Sequence, residues 1–338
     1  MRRLILLLAA LPLLSMPACA ARYAGEFLEI GVGARAVAMG GAMSAHADDA
    51  LSFYWNPAGT GYVRGLQVSG MYADLWNGLA NYSTAGVALP LSGTVFSANY
   101  VRLSVPDIQE HPDYADPRNR VLNGDTLTVQ EYLLATGAEP RGVFSDNESA
   151  LFLTLARLNR ATIDFGWSYF QIPIEIPVGA SVKFINHSLG GASGSGMGAD
   201  FGGQLRVKTS DLFTEKWKAT LAWGFVLQDA TNTAVDWGEN NKDAMPLNFR
   251  TGAALIQKMP GRHSQAVLSW DTEHRWERTR HFGLEYQYEG VLAVRGGFWG
   301  EQWTAGAGLS VWRACVDYAY LSRELGSTHR VSISLRVR

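Results

Sequence analysis

The feature that most limits what this chain can fold into is a two-residue alternation, repeated along most of its length, with no long apolar run beyond the first twenty residues. In the C-terminal HRVSISLRVR, Val331, Ile333, Leu335 and Val337 fall on one face and Arg330, Ser332, Ser334, Arg336 and Arg338 on the other. That is the period of an extended strand, whose successive side chains point to opposite sides. ATLAWGFVLQ sets Leu221, Trp223, Phe225 and Leu227 against Thr220, Ala222, Gly224 and Gln228, and HFGLEYQYEG sets Phe282, Leu284, Tyr286 and Tyr288 against His281, Gly283, Glu285 and Gln287. A soluble sandwich would bury the apolar faces against a second sheet. A closed barrel in lipid turns them outward and lines its lumen with the small and polar ones.

Composition decides between the two. Charged residues are 18% of the chain, and 36 glycines and 11 tryptophans accompany an apolar share of 47%; soluble domains carry about 25% charged residues. No later stretch is long and apolar enough for a spanning helix. The expectation is therefore all-β: a transmembrane antiparallel β-barrel of about 14 strands, in which closure pairs every backbone group within lipid. The start of the chain agrees. MRR, the apolar LILLLAALPLL and ACA have the order of a cleaved export signal over residues 1–20, which places the protein in a bacterial outer membrane. The run from Leu4 to Leu14 is broken by Pro12 and too short to span. Cys19 lies at the cut, after Met16-Pro17-Ala18, a poor match to a lipid-attachment motif, so ordinary cleavage is expected. Without Cys19 only Cys315 remains, and no internal disulfide can form.

Fifteen segments alternate between residue 66 and the C-terminus, one more than an even-numbered barrel of 14 takes. The surplus is expected within 149–185, where Pro173 and Pro177 interrupt the pattern. Two long polar connections, Ser104 to Glu148 and Asp229 to Pro246, read as extracellular loops between otherwise tight turns.

Motifs for chemistry are incomplete. GVGARA lacks the third glycine of a dinucleotide fingerprint, with Ala36 in its place. SLGGASGSGMGAD has neither the Lys-Ser/Thr of a phosphate loop nor a nucleophile elbow, and reads as a flexible hairpin loop. The seven histidines are scattered, so no metal or cofactor is expected, and a net charge of −2 offers no nucleic-acid footprint. Nothing in these residues argues for an enzyme.

Residues 21–65 fit no spanning strand. Gly31, Gly33, Gly40 and Gly41 permit close backbone approach, and Asn56-Pro57 sets a turn behind the aromatic run of DDALSFYWNPAG. The expectation is a luminal hatch over 21–65 and a barrel over 66–338. In it Tyr54 and Trp55 wedge against the wall, the Asn56-Pro57 turn reverses the chain, and Asp48 and Asp49 pair with inward-facing arginines such as Arg250 or Arg295.

FLEIGVGARAVAMGGAMSAHADDALSFYWNPAGTG, Phe27 to Gly61, resembles the N-terminal signature of the PorV/PorQ family of outer-membrane proteins associated with type IX secretion. That family is similar in turn to FadL-type transporters, whose hatch carries an Asn-Pro-Ala turn matched by Asn56-Pro57-Ala58. VGASVKFINHSLGGASGSGMGADFG and LSRELGSTHRVSISLRV also match the family's strands. The chain departs from it in ending on Arg338 rather than an aromatic residue, and in longer stretches at 104–148 and around RATIDFGWSYFQIPIE. The resemblance implies a barrel that binds or shuttles exported proteins carrying a C-terminal secretion domain, through the loops at 104–148 and 229–246. Its alternative implication is a FadL-like channel for hydrophobic small molecules.

Overall fold

The computed structural model describes residues 25–137, 140–164, 171–209, 219–238, 241–259, 263–323 and 326–337. The expected signal peptide, with Cys19, lies outside the described residues, as does Arg338. Seven strands, β1 (Gln67–Leu75), β2 (Ala80–Leu91), β3 (Thr94–Glu110), β4 (Gly142–Asp164), β5 (Gln171–Leu189), β6 (Ala192–Lys208) and β7 (Ala219–Gln228), follow one another antiparallel. The meander continues through β8 (Asn248–Lys258), β9 (Gln265–His274), β10 (Arg278–Tyr288) and β11 (Leu292–Trp299). It ends with β12 (Gln302–Val311), β13 (Ala314–Leu321) and β14 (Thr328–Arg336), and β14 pairs with β1 to close a 14-strand barrel.

Alternation sets the two faces. On β14 Val331, Ile333 and Leu335 are 49, 48 and 44% exposed on the outer surface, while Arg330 and Ser332 are buried inside. Trp223 and Phe225 of β7, and Phe282 and Leu284 of β10, are likewise outside. The outer face meets lipid, where apolar side chains lose nothing by exposure.

Of the surplus fifteenth segment, TIDFGWSYFQI, Thr162–Asp164 end β4 and Gln171 and Ile172 begin β5, and residues 165–170 lie outside the described residues. Pro173 and Pro177 lie within β5, opposite Thr162 and Leu158 of β4. The ladder from β5 to β6 skips Ile176 and Pro177, so the missing proline donor falls where no bond is made. The glycine run expected as a flexible loop is mostly strand: β5 runs to Leu189, Gly190 and Gly191 make the turn, and β6 begins at Ala192.

Both long connections are more ordered than their polarity suggests. β3 continues to Glu110 and β4 starts at Gly142, so only 111–141 leaves the barrel. A register shift between Val105 and Ile108, with Asp107 at φ 54°, absorbs the break that Pro106 introduces. Within 111–141 a helix, Val129–Thr136, starts with a capping box between Thr128 and Glu131. The connection 229–247 carries a hairpin, Ala234–Asp236 with Lys242–Ala244, that pairs with the edge of β6. Both connections sit at the far end of the barrel, opposite the end at which β1 starts and β14 finishes.

Candidate functional site

Residues 25–63, the described part of the expected hatch, lie inside the lumen against its wall. Their regular structure is slight: helical turns at Glu26–Glu29, Ala34–Ala38 and Ser52–Trp55, then a 3-10 stretch at Pro57–Tyr62. A segment without a ladder of its own must find other partners for its backbone groups, and the barrel wall supplies them. Ser332 Oγ accepts from Ala34 N (2.7 Å), Thr304 Oγ1 from Gly40 N (3.1 Å) and Asp271 from Ser44 N (2.8 Å). On the acceptor side, Arg250 donates to Gly41 O (2.8 Å), Gln228 to Tyr54 O (2.8 Å), Gln204 and Arg206 to Ala47 O, and Arg330 to the carbonyls of Ile30 and Gly31.

Wall glycines let the hatch come this close. A β-carbon on Gly224 would run into the carbonyl of Ser44, and one on Gly202 into the side chain of Asn56. In the hatch itself, Gly40, at φ 62°, lies against the backbone of Phe282 and Phe298 with no room for a side chain. The hatch's apolar residues, among them Val37, Met39, Met43, Phe53 and Trp55, form one buried cluster with Phe152 and Ile185 of the wall. Phe53 meets Phe152 at 5.0 Å between ring centroids. Because the empty lumen would hold water, burying each such side chain contributes about 1.5–3 kcal/mol.

The residues singled out in the sequence divide into three groups. Asn56-Pro57 makes the turn: Asn56 Oδ1 accepts from Ala58 N (3.1 Å), and its amide donates to Ser44 O (2.6 Å) and across to Gly203 O (3.1 Å). Tyr54 and Trp55 are buried. The Tyr54 hydroxyl bonds the Leu28 carbonyl, and Trp55 donates to Val32 O (2.7 Å) and meets Trp299 edge-on at 5.6 Å. The expected pairing of Asp48 and Asp49 with Arg250 or Arg295 is not what the lumen holds. Arg35, from the hatch itself, reaches Asp48 at 2.7 Å and Glu285 at 3.0 Å. Asp49 accepts from Leu51 N and Ser52 and so begins the turn at Ser52–Trp55. Arg295 binds Glu285 (2.6 Å) and Asp317 (2.7 Å), and Arg250 sits over the Trp55 ring at 5.0 Å with Asp271 and Glu273 beside it. The wall carboxylates neutralise both arginines, leaving the hatch aspartates to Arg35, 13 residues earlier in the same segment.

The hatch divides the lumen. On the far side is a vestibule of about 970 Å³, floored by Phe27, Ile30 and Tyr54 and walled by Trp76, Trp276 and Trp299. On the near side is a chamber of about 520 Å³, reached by Asp48, Arg206 and Lys208. The connection 229–247 folds inward over the vestibule side of the hatch: Val235 and Met245 are buried, Met245 against Gly25. A buried charge cluster ties this cover down. Lys183 bridges Asp200 (2.9 Å) and Asp229 (2.6 Å), and Arg275 links Asp229 (3.0 Å) to Glu29 of the hatch (3.6 Å). Burial pushes the Glu29 carboxyl above its ordinary range, and Arg275 and the Trp276 indole N–H offset part of that.

Sequence reasoning did not find Trp76, Trp299, Arg275 or Arg323. All four lie in or beside turns, where no alternation signals a facing direction; their only mark is an aromatic or basic residue in an otherwise small or polar connection.

No family model matches the chain, and no curated protein matches it. Among solved structures, the Ralstonia pickettii toluene transporter TbuX aligns over 91% of this chain and 99% of its own, at 11% identity and a TM-score of 0.46. A deletion mutant of the TodX monoaromatic hydrocarbon channel aligns over 90 and 98%, at 11% identity and 0.45. The CymD monoaromatic hydrocarbon channel aligns over 91 and 98%, at 10% and 0.39. The chain is itself a 14-strand transmembrane barrel with its N-terminal segment lodged in the lumen.

Proposed function

We propose that the protein is an outer-membrane passage for hydrophobic small molecules, gated by its hatch. One observation carries this reading: a plug seated by side-chain bonds separates an aromatic-walled vestibule from a second chamber on the same axis. The vestibule has the size of small-molecule sites, and its aromatic residues stand among six glutamates and three arginines. Entry is at the far end, over Trp76 and Trp276; exit is past Asp48 and Arg206, once hatch–wall bonds yield. Shuttling of exported proteins, the other reading that the resemblance implies, needs projecting loops. The connection 229–247 instead turns inward and buries Val235 and Met245 on the hatch, and β3 and β4 take up the two ends of 104–148, leaving 111–141 as the connection. This supports passage over cargo capture.

The test is a reversible lock. With Cys315 replaced by serine, cysteines at Ala34 and Ser332, whose amide and hydroxyl lie 2.7 Å apart, tether the hatch to β14 when oxidised. Uptake of a labelled hydrophobic probe by cells expressing this variant should stop on oxidation and return on reduction. Uptake that ignores the lock would sink the gated passage.

A further inference from the structure

His46 lies in the middle of the hatch, buried, and neither of its ring nitrogens has a hydrogen-bond partner among the described residues. Its neighbours in the chain are fixed to the wall on both sides. Ser44 N donates to Asp271 of β9, and Ser44 O lies against Gly224 of β7. Ala45 packs with Ala222 of β7 and Ala254 of β8, and Ala47 O accepts from Gln204 and Arg206 of β6. While these contacts hold, the imidazole stays out of water. Four charged groups act on it. Arg35, in the hatch turn Ala34–Ala38, and Arg206 of β6 oppose a second positive charge; Asp48 of the hatch and Glu285 of β10 favour one. Both acids are already engaged, Asp48 with Arg35 at 2.7 Å and Glu285 with Arg35 at 3.0 Å and Arg295 at 2.6 Å. Beyond them stand Asp271 of β9 and Arg250 of β8, 3.6 Å apart, while β7 brings the uncharged Ala222 and Gly224. An imidazolium here would bury two N–H donors without acceptors beside two guanidiniums, which is costly.

From this we infer that the hatch carries an acid-sensitive catch: a proton on His46 favours a hatch lifted off β6, β7 and β9, so acidification loosens the plug that neutral pH holds in place. The inference concerns the seating of the hatch and goes beyond the passage reading, since it holds whatever crosses the barrel. Burial, and then Arg35, push the seated imidazole down to about 4 from the 6.5 of a free one. A freed hatch therefore binds the proton more tightly than a seated one, and stability that is complete above about pH 6.5 is lost as pH falls towards 4. The hatch carboxylates do not imitate this. Burial works to raise Asp48, but Arg35 and Arg206 outweigh it and leave its carboxyl below the ordinary range, so its own loss falls below about pH 4. Asp49 and Glu29, both raised by burial, titrate with the opposite sign.

Hydrogen exchange of the detergent-extracted full chain tests the catch, read by mass spectrometry as protection factors so that the intrinsic pH dependence of exchange cancels. Protection of peptides from residues 37–55 should fall about tenfold or more between pH 7 and pH 5, while peptides from β12 keep theirs. In H46F, which keeps a ring and removes the titration, hatch protection should change less than about twofold over the same range. R206Q keeps the imidazole and removes one flanking cation, so its fall should be smaller than that of the wild type. Should H46F leave the hatch unprotected at every pH, R206Q decides alone. Flat protection in the wild type, a fall shared equally by β12, or a fall undiminished in either variant would each overturn the inference.

Discussion

Gly224 of β7 faces the carbonyl of Ser44 so closely that any β-carbon would collide with backbone. Alanine there must push either the strand or the hatch aside, and overpacking of this kind costs about 1–3 kcal/mol. G224A should therefore lower the temperature at which the extracted barrel loses its folded gel mobility. Gly296 provides the control, because a methyl group there meets only Thr304 O at 3.7 Å, and G296A should leave that temperature unchanged. Equal effects of the two would mean that glycine serves the strands generally and not the seating of the hatch. The same scale explains why Asp48 and Asp49 were assigned the wrong partners from sequence. Alternation marks Arg250 and Arg295 as inward-facing, which they are, but each already has wall carboxylates within reach. Whether an inward arginine is free depends on which carboxylates stand on neighbouring strands in register, and a single strand's pattern does not carry that.

Among the elements, the inward cover at 229–247 depends most on one side chain. Lys183 of β5 holds Asp200 of β6 and Asp229 at the root of the cover, and all three are almost wholly buried. Removing the cation leaves two carboxylates close together without water, a loss of about 3–5 kcal/mol. K183M should destabilise the barrel by that order in denaturant titration. Adding D200L should restore part of it, since Asp229 keeps Arg275; no rescue would place the loss in packing and not in charge. Elements of this type were the least legible in sequence. The hairpin at 229–247 looked like a polar loop because its apolar content is mainly Val235, Trp237 and Met245, too few to alternate. The extension of β3 past Ser104 was hidden by Pro106, which the bulge at Asp107 accommodates. The spanning strands were legible, because the division between lipid and lumen repeats every second residue and needs no distant information.

Across the whole molecule, hatch and wall complete each other's hydrogen bonding. The hatch's short turns do not satisfy its backbone, and wall groups such as Arg330 find their acceptors on it. A synthetic peptide of residues 25–63 should accordingly show no stable secondary structure by circular dichroism in water, since isolated turns this short do not persist. A helical or strand spectrum would make the hatch an independent unit that merely docks.

This reciprocity bears on timing. The hatch precedes every barrel strand in the chain, yet Ala34 donates to Ser332 and Ile30 accepts from Arg330, 298 and 300 residues further on. Contacts so distant in the chain form late, because the loop must close before they repay it. A segment that precedes the barrel in the chain is therefore among the last to settle, and until β14 meets β1 it must wait, unfolded, at the mouth of an unfinished barrel.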